Sequence, residues 1–462
     1  MHFSSSVKIL SKAMICAVAL LAGVVIFDGR LLRGAASPAA ESDDHDSPVG
    51  PSTVSAFLDS LGICIHHAQG VPMQSYIAPL RYIGLKNVRD DFGNDTQSYI
   101  NLYQAIGVRV SLIARAEPMD HNINRLRQIA QAGALLSIEG PNEPNNFPIV
   151  YNGKKGGGSG LSADWTSVAE FQRDLYAAVK KDDVLSALPV LGPSEVGAEH
   201  PNVGLQFKAL DESSGTAFPA GTKFYDFANV HNYVSSNKNV YVDNQAWQAA
   251  DPLLNSYWDG LFGNHGVTWG FKYKGYPDAA LAQLPRMTTE TGWDSKKNPG
   301  GERVQGIIIL NTLFAQFKRD WSRTFIYMLR DGEGGVENQG VFNADSTPKL
   351  AATYLHNLTR ILAPDGVTLA SDLAAYRITG RQNTVHDFSL KAADGSRILV
   401  IWNERVEGGN PITIDFGQVK SDVRAFDPVQ GVDAIATYQA VEKITYTIKD
   451  QPLILKVSSP KR

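Results

Sequence analysis

An alternation constrains this chain more than any other feature. Between Leu61 and Leu362, short β-branched or apolar runs bounded by turn residues exchange with longer stretches whose apolar residues recur at three and four spacing. That is the sequence form of repeated βα units feeding a parallel sheet. Eight runs read as strands: Gly62 to Ile65, Asn87 to Arg89, Val108 to Ile113, Leu135 to Glu139, Pro189 to Leu191, Phe227 to His231, Arg286 to Thr289 and Thr324 to Met328. Helical stretches between and after them include Asn122 to Ala132, Trp165 to Lys180, Gln245 to Trp258, Glu302 to Arg319 and Pro348 to Leu362. Eight such units predict a TIM (β/α)8 barrel over residues 55–363. A doubly wound open sheet is the rival, but no Gly-rich dinucleotide fingerprint follows the first strand.

Past Pro364 the rhythm changes to short alternating strands, as in Ser396 to Trp402, Pro411 to Phe416, Lys443 to Ile448 and Pro452 to Val457, without a long helix. Residues 364–462 are therefore expected to form an all-β sandwich. At the other end, Lys8 and Lys12 precede an apolar run from Ala13 to Phe27. This is the charged-then-apolar order of an export signal over residues 1–36, cleaved after Ala36 or kept as a signal anchor. Residues 37–54, rich in Pro, Ser, Asp and Gly, read as a flexible linker. The chain is thus expected outside the cytoplasm, periplasmic or extracellular, touching a membrane only if the anchor is retained.

Composition removes other classes. With 43 Lys+Arg against 47 Asp+Glu and no basic stripe, counterion-release binding to nucleic acid has little to work with. Cys16 and Cys64 are the only cysteines, so neither a disulfide framework nor a cysteine-rich zinc site can be built. Cys64, between Ile63 and Ile65, reads as a packed small hydrophobe. The run Gly153-Lys154-Lys155-Gly156-Gly157-Gly158-Ser159-Gly160 lacks the order of a phosphate loop and reads as a flexible surface loop. No EF-hand, His-Glu-x-x-His, Gly-x-Ser-x-Gly or Walker pattern occurs, so no cofactor and no metal are expected.

Active sites of such barrels gather at the C-terminal ends of the strands. Two endings stand out: Glu139-Gly140-Pro141-Asn142-Glu143-Pro144-Asn145 after the fourth strand, and Thr289-Glu290-Thr291-Gly292-Trp293 after the seventh. A glutamate among Pro and Gly at a strand end has no local ion-pair explanation, and strands four and seven face each other across the barrel. Two facing carboxylates suit cleavage of a glycosidic bond, one donating a proton to the leaving oxygen and the other stabilising or attacking the sugar carbon. Arg89, His231, Tyr233 and Asn142 are candidate donors around them.

These motifs resemble glycoside hydrolase clan A, the retaining (β/α)8 glycosidases that include families 5, 30, 39 and 79. The resemblance rests on Asn142-Glu143-Pro144, Glu290, Arg89 and His231-Asn232-Tyr233 in the clan's order. It implies that Glu143 is the acid/base and Glu290 the nucleophile, that Asn142 bonds the sugar 2-hydroxyl, and that Arg89 and Tyr233 keep Glu290 ionised. One departure concerns the strand-eight aromatic platform, commonly Trp in the clan, where this chain has Tyr327-Met328-Leu329-Arg330-Asp331.

Further candidates divide between cleft and scaffold. His67, with His66, follows the first strand and is expected to line the cleft through one of the pair; adjacent residues on a strand face opposite sides, so the two cannot share an ion. Trp293 is expected to stack on a sugar ring or to be buried. Glu139 reads as support for the site or as a buried ion pair. Arg330 and Asp331 read as sugar contacts or as a surface or inter-strand pair, Asn145 and Asn146 as subsite or turn residues. Trp402 is expected to be buried. The function expected is a retaining hydrolase of β-linked polysaccharide or oligosaccharide, with carbohydrate as its partner and no protein partner. A non-catalytic glycan-binding or assembly protein and a transglycosidase are the alternatives.

Overall fold

The computed structural model describes residues 52–91, 93, 95–158, 164–194, 222–234, 239–251, 285–335, 337–363 and 376–458. The expected export segment lies outside these residues, and among them no helix is long and apolar enough to cross a membrane.

The alternation closes into a ring of parallel strands: Leu61–Cys64, Asn87–Asp91, Arg109–Ile113, Leu135–Glu139, Val190–Leu191, Ala228–Val230, Arg286–Thr291 and Arg323–Ile326. The first pairs with the eighth, and a parallel bridge from Leu191 to Phe227 joins the fifth to the sixth. Helices cover the outside, so the first, fourth and seventh strands are buried along their whole length, as parallel strands between two layers must be. Local signals set the helix ends: Asp95 accepts from the Ser98 amide at 3.0 Å to start Thr96–Ile106, and Gly107 ends it at φ 68. Four of the expected helices begin and end within a few residues of their sequence-derived limits, at Met119–Gln131, Thr166–Lys181, Gly301–Lys318 and Leu350–Leu362. Of the expected helix Gln245 to Trp258, Ala246–Ala249 is helical and residues 252–258 lie outside the described set.

Two boundaries differ from expectation. The seventh strand runs on to Thr291, because Thr288 donates to the Asn232 side chain at 2.6 Å and Thr291 to its carbonyl at 3.1 Å, tying the strand end to its neighbour. Glu290 thus sits within a strand rather than after one. The supposed flexible glycine loop begins as a hairpin, Ile149–Tyr151 with Lys154–Gly156, turned by Asn152 and Gly153 at φ 50 and 75. An Asn-Gly pair in left-handed conformation is what a two-residue hairpin turn requires.

The C-terminal domain is a seven-stranded mixed sheet, five of whose strands are Arg377–Thr379, Val385–Lys391, Arg397–Asn403, Asn410–Phe426 and Leu453–Ser458. A sixth, Ala434–Ile448, pairs along the whole of Asn410–Phe426. Its seventh strand is a correction to the linker: Ser52–Thr53 pairs in parallel with Leu390 and Lys391, and Thr53 then caps the helix Val54–Ser60 that leads into the barrel. Chain expected to be free to residue 54 is therefore fastened to the far domain. Strand Arg397–Asn403 serves two cores by its pleat. Leu399 and Ile401 face the domain's own interior, whereas Ile398, Val400 and Trp402 join the barrel's apolar cluster. Trp402 is completely enclosed there, its ring 5.7 Å from Phe314 and 5.9 Å from Phe388.

Candidate active site

Arg89, near the end of the second strand, organises the polar layer above the apolar barrel interior. Its Nε and Nη2 donate to both oxygens of Glu139 at 2.8 Å, Nη2 also to Asn142 Oδ1 at 2.6 Å, and Nη1 to Glu290 Oε1 at 2.5 Å. A rigid planar fork suits this task better than a lysine would. Burial alone would lower the Arg89 pKa, but the Glu139 and Glu290 carboxylates hold it well above the usual arginine value. It is a permanent cation spanning strands two, four and seven.

Glu290 therefore meets a fixed charge on one oxygen. On the other it accepts from the Tyr233 hydroxyl at 3.0 Å. Burial and the Glu290 charge push the Tyr233 phenol well up, so it remains a donor.

Glu143 is positioned differently. It lies past the fourth strand, with Asn142 bridged in parallel to Ser194 beside it, and its backbone is left-handed at φ 39. A glutamate rarely adopts that conformation. Here the turn is held because its carbonyl accepts from the amides of Asn146 and Phe147 at 2.8 and 2.7 Å. Its Oε2 accepts from the Asn146 amide group at 3.0 Å, and its Oε1 lies 2.7 Å from His231 Nδ1. Burial pushes the Glu143 carboxyl up, but the contacts with His231, Asn146 and Arg89 outweigh it and leave the pKa below the ordinary glutamate value. His231 is fully buried, with Nδ1 also 3.5 Å from Glu290 Oε2 and Nε2 3.1 Å from Thr289 Oγ1.

The two glutamates that the sequence places 147 positions apart thus share one pocket: donor atoms of Glu143, His231 and Glu290 all lie within 4.8 Å of one another. Among the described residues this is the one cluster with the convergence of a cation site. Its donors are already engaged, by Arg89 and Tyr233 on Glu290 and by Asn146 and His231 on Glu143.

The other candidates separate cleanly. His66, rather than His67, faces the pocket. Its ring lies 5.3 Å from that of Tyr327; burial depresses its pKa, against the opposing charges of Glu337 and Glu290. His67 is turned to the scaffold, with Nδ1 2.9 Å from the Val71 carbonyl and Nε2 3.2 Å from Asp95. The chain leaves strand geometry after Cys64, so simple alternation does not decide between the pair. Trp293 is 1% exposed in the apolar core and offers no face for stacking. Glu139 is the buried partner of Arg89. Arg330 binds the Ala344 carbonyl and Glu333, and Asp331 pairs with Lys349 at 2.7 Å, so both brace loops. Asn145 is buried, and Cys64 lies under the site with its thiol 3.3 Å from the Thr289 carbonyl and its pKa pushed up by burial. Tyr327 occupies the strand-eight position, its hydroxyl 3.3 Å from Glu337. Thr289 and Glu337 were not singled out from the sequence. A hydroxyl inside a strand and an acid in a glycine loop carry no motif.

No family model and no curated protein matches the chain in sequence. Solved structures do match in fold. A family 39 glycoside hydrolase from the gut symbiont Bacteroides cellulosilyticus WH2 aligns at TM-score 0.54 and 15% identity over 88% of this chain and 83% of that one. A GH30 endoxylanase from Clostridium papyrosolvens C71 aligns at 0.51 and 11% over 87% and 96%. A GH51 arabinofuranosidase from Xanthomonas axonopodis pv. citri aligns at 0.51 and 12% over 89% and 98%. The likeness is one of fold, a (β/α)8 barrel with a C-terminal β domain. Families 39 and 30 are among those whose motif order the sequence resembles.

Proposed function

We propose that this chain is an exported retaining β-glycosidase acting on a polysaccharide or its fragments. The observation that carries the reading is the short span between the carboxylates, with oxygens of Glu143 and Glu290 within 4.8 Å. Retention goes with carboxyl groups ~5–5.5 Å apart, whereas inversion needs ~6.5–9.5 Å to admit a water. In the first step a proton passes from Glu143 to the glycosidic oxygen as the bond from the sugar carbon to that oxygen breaks and a Glu290 oxygen bonds the carbon. In the second, Glu143 takes a proton from water, whose oxygen attacks the same carbon and releases Glu290. Arg89 and Tyr233 donate to the two oxygens of Glu290 and align it, and Asn142, itself fixed by Arg89, presents its amide to the sugar.

The charged-then-apolar order of residues 1–36, read as an export signal, supports a substrate among extracellular or periplasmic glycans. The test is a panel of β-linked glycans together with a 2-fluoro glycosyl inactivator, followed by mapping of the labelled peptide. Label on the peptide carrying Glu290, with turnover of one of the glycans, is the expected result. Inversion of anomeric configuration in the product, or label elsewhere, overturns the reading.

A further inference from the structure

The acid/base presents a difficulty: a His231 that donates from Nδ1 holds the Glu143 carboxyl below its ordinary pKa, yet the acid must keep a proton for the leaving group. The hydrogen bonds behind it resolve this. Thr289 Oγ1 lies 3.1 Å from Glu139 Oε1 and 3.0 Å from Asn229 Oδ1. Both are acceptors: Glu139 is a carboxylate clamped by Arg89, and Asn229 is oriented by its amide nitrogen donating to the Gly192 carbonyl at 3.3 Å. The single Thr289 hydroxyl proton is therefore spent on one of them. What Thr289 turns toward His231 Nε2, 3.1 Å away, is a lone pair, so Nε2 must carry a proton. In the neutral ring Nδ1 is then bare, and it faces a Glu143 oxygen at 2.7 Å. Two acceptors at that distance need a proton between them.

We propose that Thr289 is a positioning residue that fixes the His231 tautomer, and that the Glu143–His231 pair holds as one unit the proton delivered to the leaving group. Whether that proton rests on Oε1 or on Nδ1, the pair carries one proton, and its affinity belongs to the pair rather than to either residue. Among the described residues, the charges facing His231 are Glu143 and Glu290 directly, Glu139 through Thr289, and Arg89 between the carboxylates. When the pair loses its proton, the bare Nδ1 opposes the Glu143 carboxylate, which raises the pair's affinity and extends the acid-competent form to higher pH. During cleavage the proton goes to the glycosidic oxygen, the bonding electrons go with that oxygen, and the pair regains a proton from water in the second step.

The test rests on the glycosidase reading but has one arm independent of turnover. Thr289→Val removes the hydroxyl, lets the ring protonate Nδ1 and donate to an ionised Glu143, and so discharges the acid early. The basic limb of kcat/KM is expected to move down by about one pH unit, a tenfold loss of proton affinity. Rates on alkyl or oligosaccharide leaving groups should fall about 100-fold, while a dinitrophenyl glycoside, which needs no proton, should change little. Thr289→Ser, which keeps the hydroxyl, should recover most of the loss. An unmoved basic limb, or equal loss for every leaving group, overturns the proposal. Should Thr289→Val not fold, nitrogen NMR of the His231 ring in the wild-type protein decides. A proton on Nε2 above the basic limb is expected, and a neutral ring protonated on Nδ1 there overturns it. Failure of wild-type turnover on all glycans would instead remove the glycosidase reading and leave the tautomer measurement standing.

Discussion

The mouth of the barrel and the seam between barrel and β domain are both buried, yet they are made from opposite materials. At the mouth, Arg89, Glu139, Glu143, His231 and Glu290 bond one another directly. At the seam, Phe57, Phe314, Phe317, Phe388 and Trp402 stack edge and face with centroids 5.0–5.9 Å apart. Buried charges are costly to desolvate and rarely stabilise more than an apolar packing would, whereas enclosed rings contribute through burial and quadrupole contacts. The molecule concentrates its expensive groups where chemistry needs them and holds them in place from the seam. Substitutions at the two places should therefore fail in different ways.

The largest effect is expected at Glu290. Glu290→Gln keeps the size and one acceptor but cannot form the glycosyl ester, so turnover should fall by roughly 10^4-fold or more. The melting temperature should hold or rise, because Arg89 retains Glu139. Steady-state rates and calorimetry on the same sample check both halves, and a variant that kept wild-type rates would sink the nucleophile assignment. Next is Glu143→Ala. Its loss should be graded, about 10^2- to 10^4-fold for poor leaving groups and far less for good ones. A plot of log kcat/KM against leaving-group pKa that is no steeper than wild type would count against an acid role.

Seam variants should reverse the pattern. Trp402→Ala removes a side chain with no exposure from contact with Phe314, Phe388 and His386, at a cost of about 3–5 kcal/mol in unfolding free energy. Well below its melting temperature the folded fraction should retain wild-type kcat/KM. Denaturant titration beside kinetics measures this. A kcat/KM that dropped with the pH profile altered would mean that the seam tunes the site as well as supporting it.

What the sequence displays follows the same division. Arg89, Glu143, His231, Tyr233 and Glu290 were legible because each stands near or just past the C-terminal end of a strand, where a charge or hydroxyl has no scaffold reason to be. Thr289 was hidden, since its role exists only when three strands bring Glu139, Asn229 and His231 to one hydroxyl. The choice between His66 and His67 depended on how the backbone turns beyond Cys64. Trp293 looked like a cleft residue by position, and packing claimed it. In the β domain the strands Asn410–Phe426 and Ala434–Ile448 are far longer than their apolar segments show, because Ala434–Ile448 is exposed over much of its length and carries polar residues there. Ser52–Thr53 is too short to leave any periodic mark; only its partner strand reveals it.

One ionisable group tests the contrast, and it supplies the smallest effect. Glu404 is buried beside the seam, accepting from the Trp247 amide at 2.6 Å and from the Trp402 indole at 3.4 Å. Burial, and the nearby charge of Asp243, push its pKa well above the usual glutamate value. The folded protein therefore holds a proton that the unfolded chain releases above about pH 4.3. By linkage, stability falls with pH wherever the native state binds more protons. Glu404's contribution is thus complete in acid, below the unfolded pKa, and is progressively lost as pH climbs toward the raised folded value. Glu404→Gln keeps an acceptor for the Trp247 amide and cannot ionise, so the melting temperature of the variant should decline less between pH 5 and pH 8 than that of the wild type. The relevant measurement is the difference between the two slopes, which removes every other titrating group. Parallel slopes would show that Glu404 is ionised in the folded state, and that the seam, like the mouth, bears a buried charge after all.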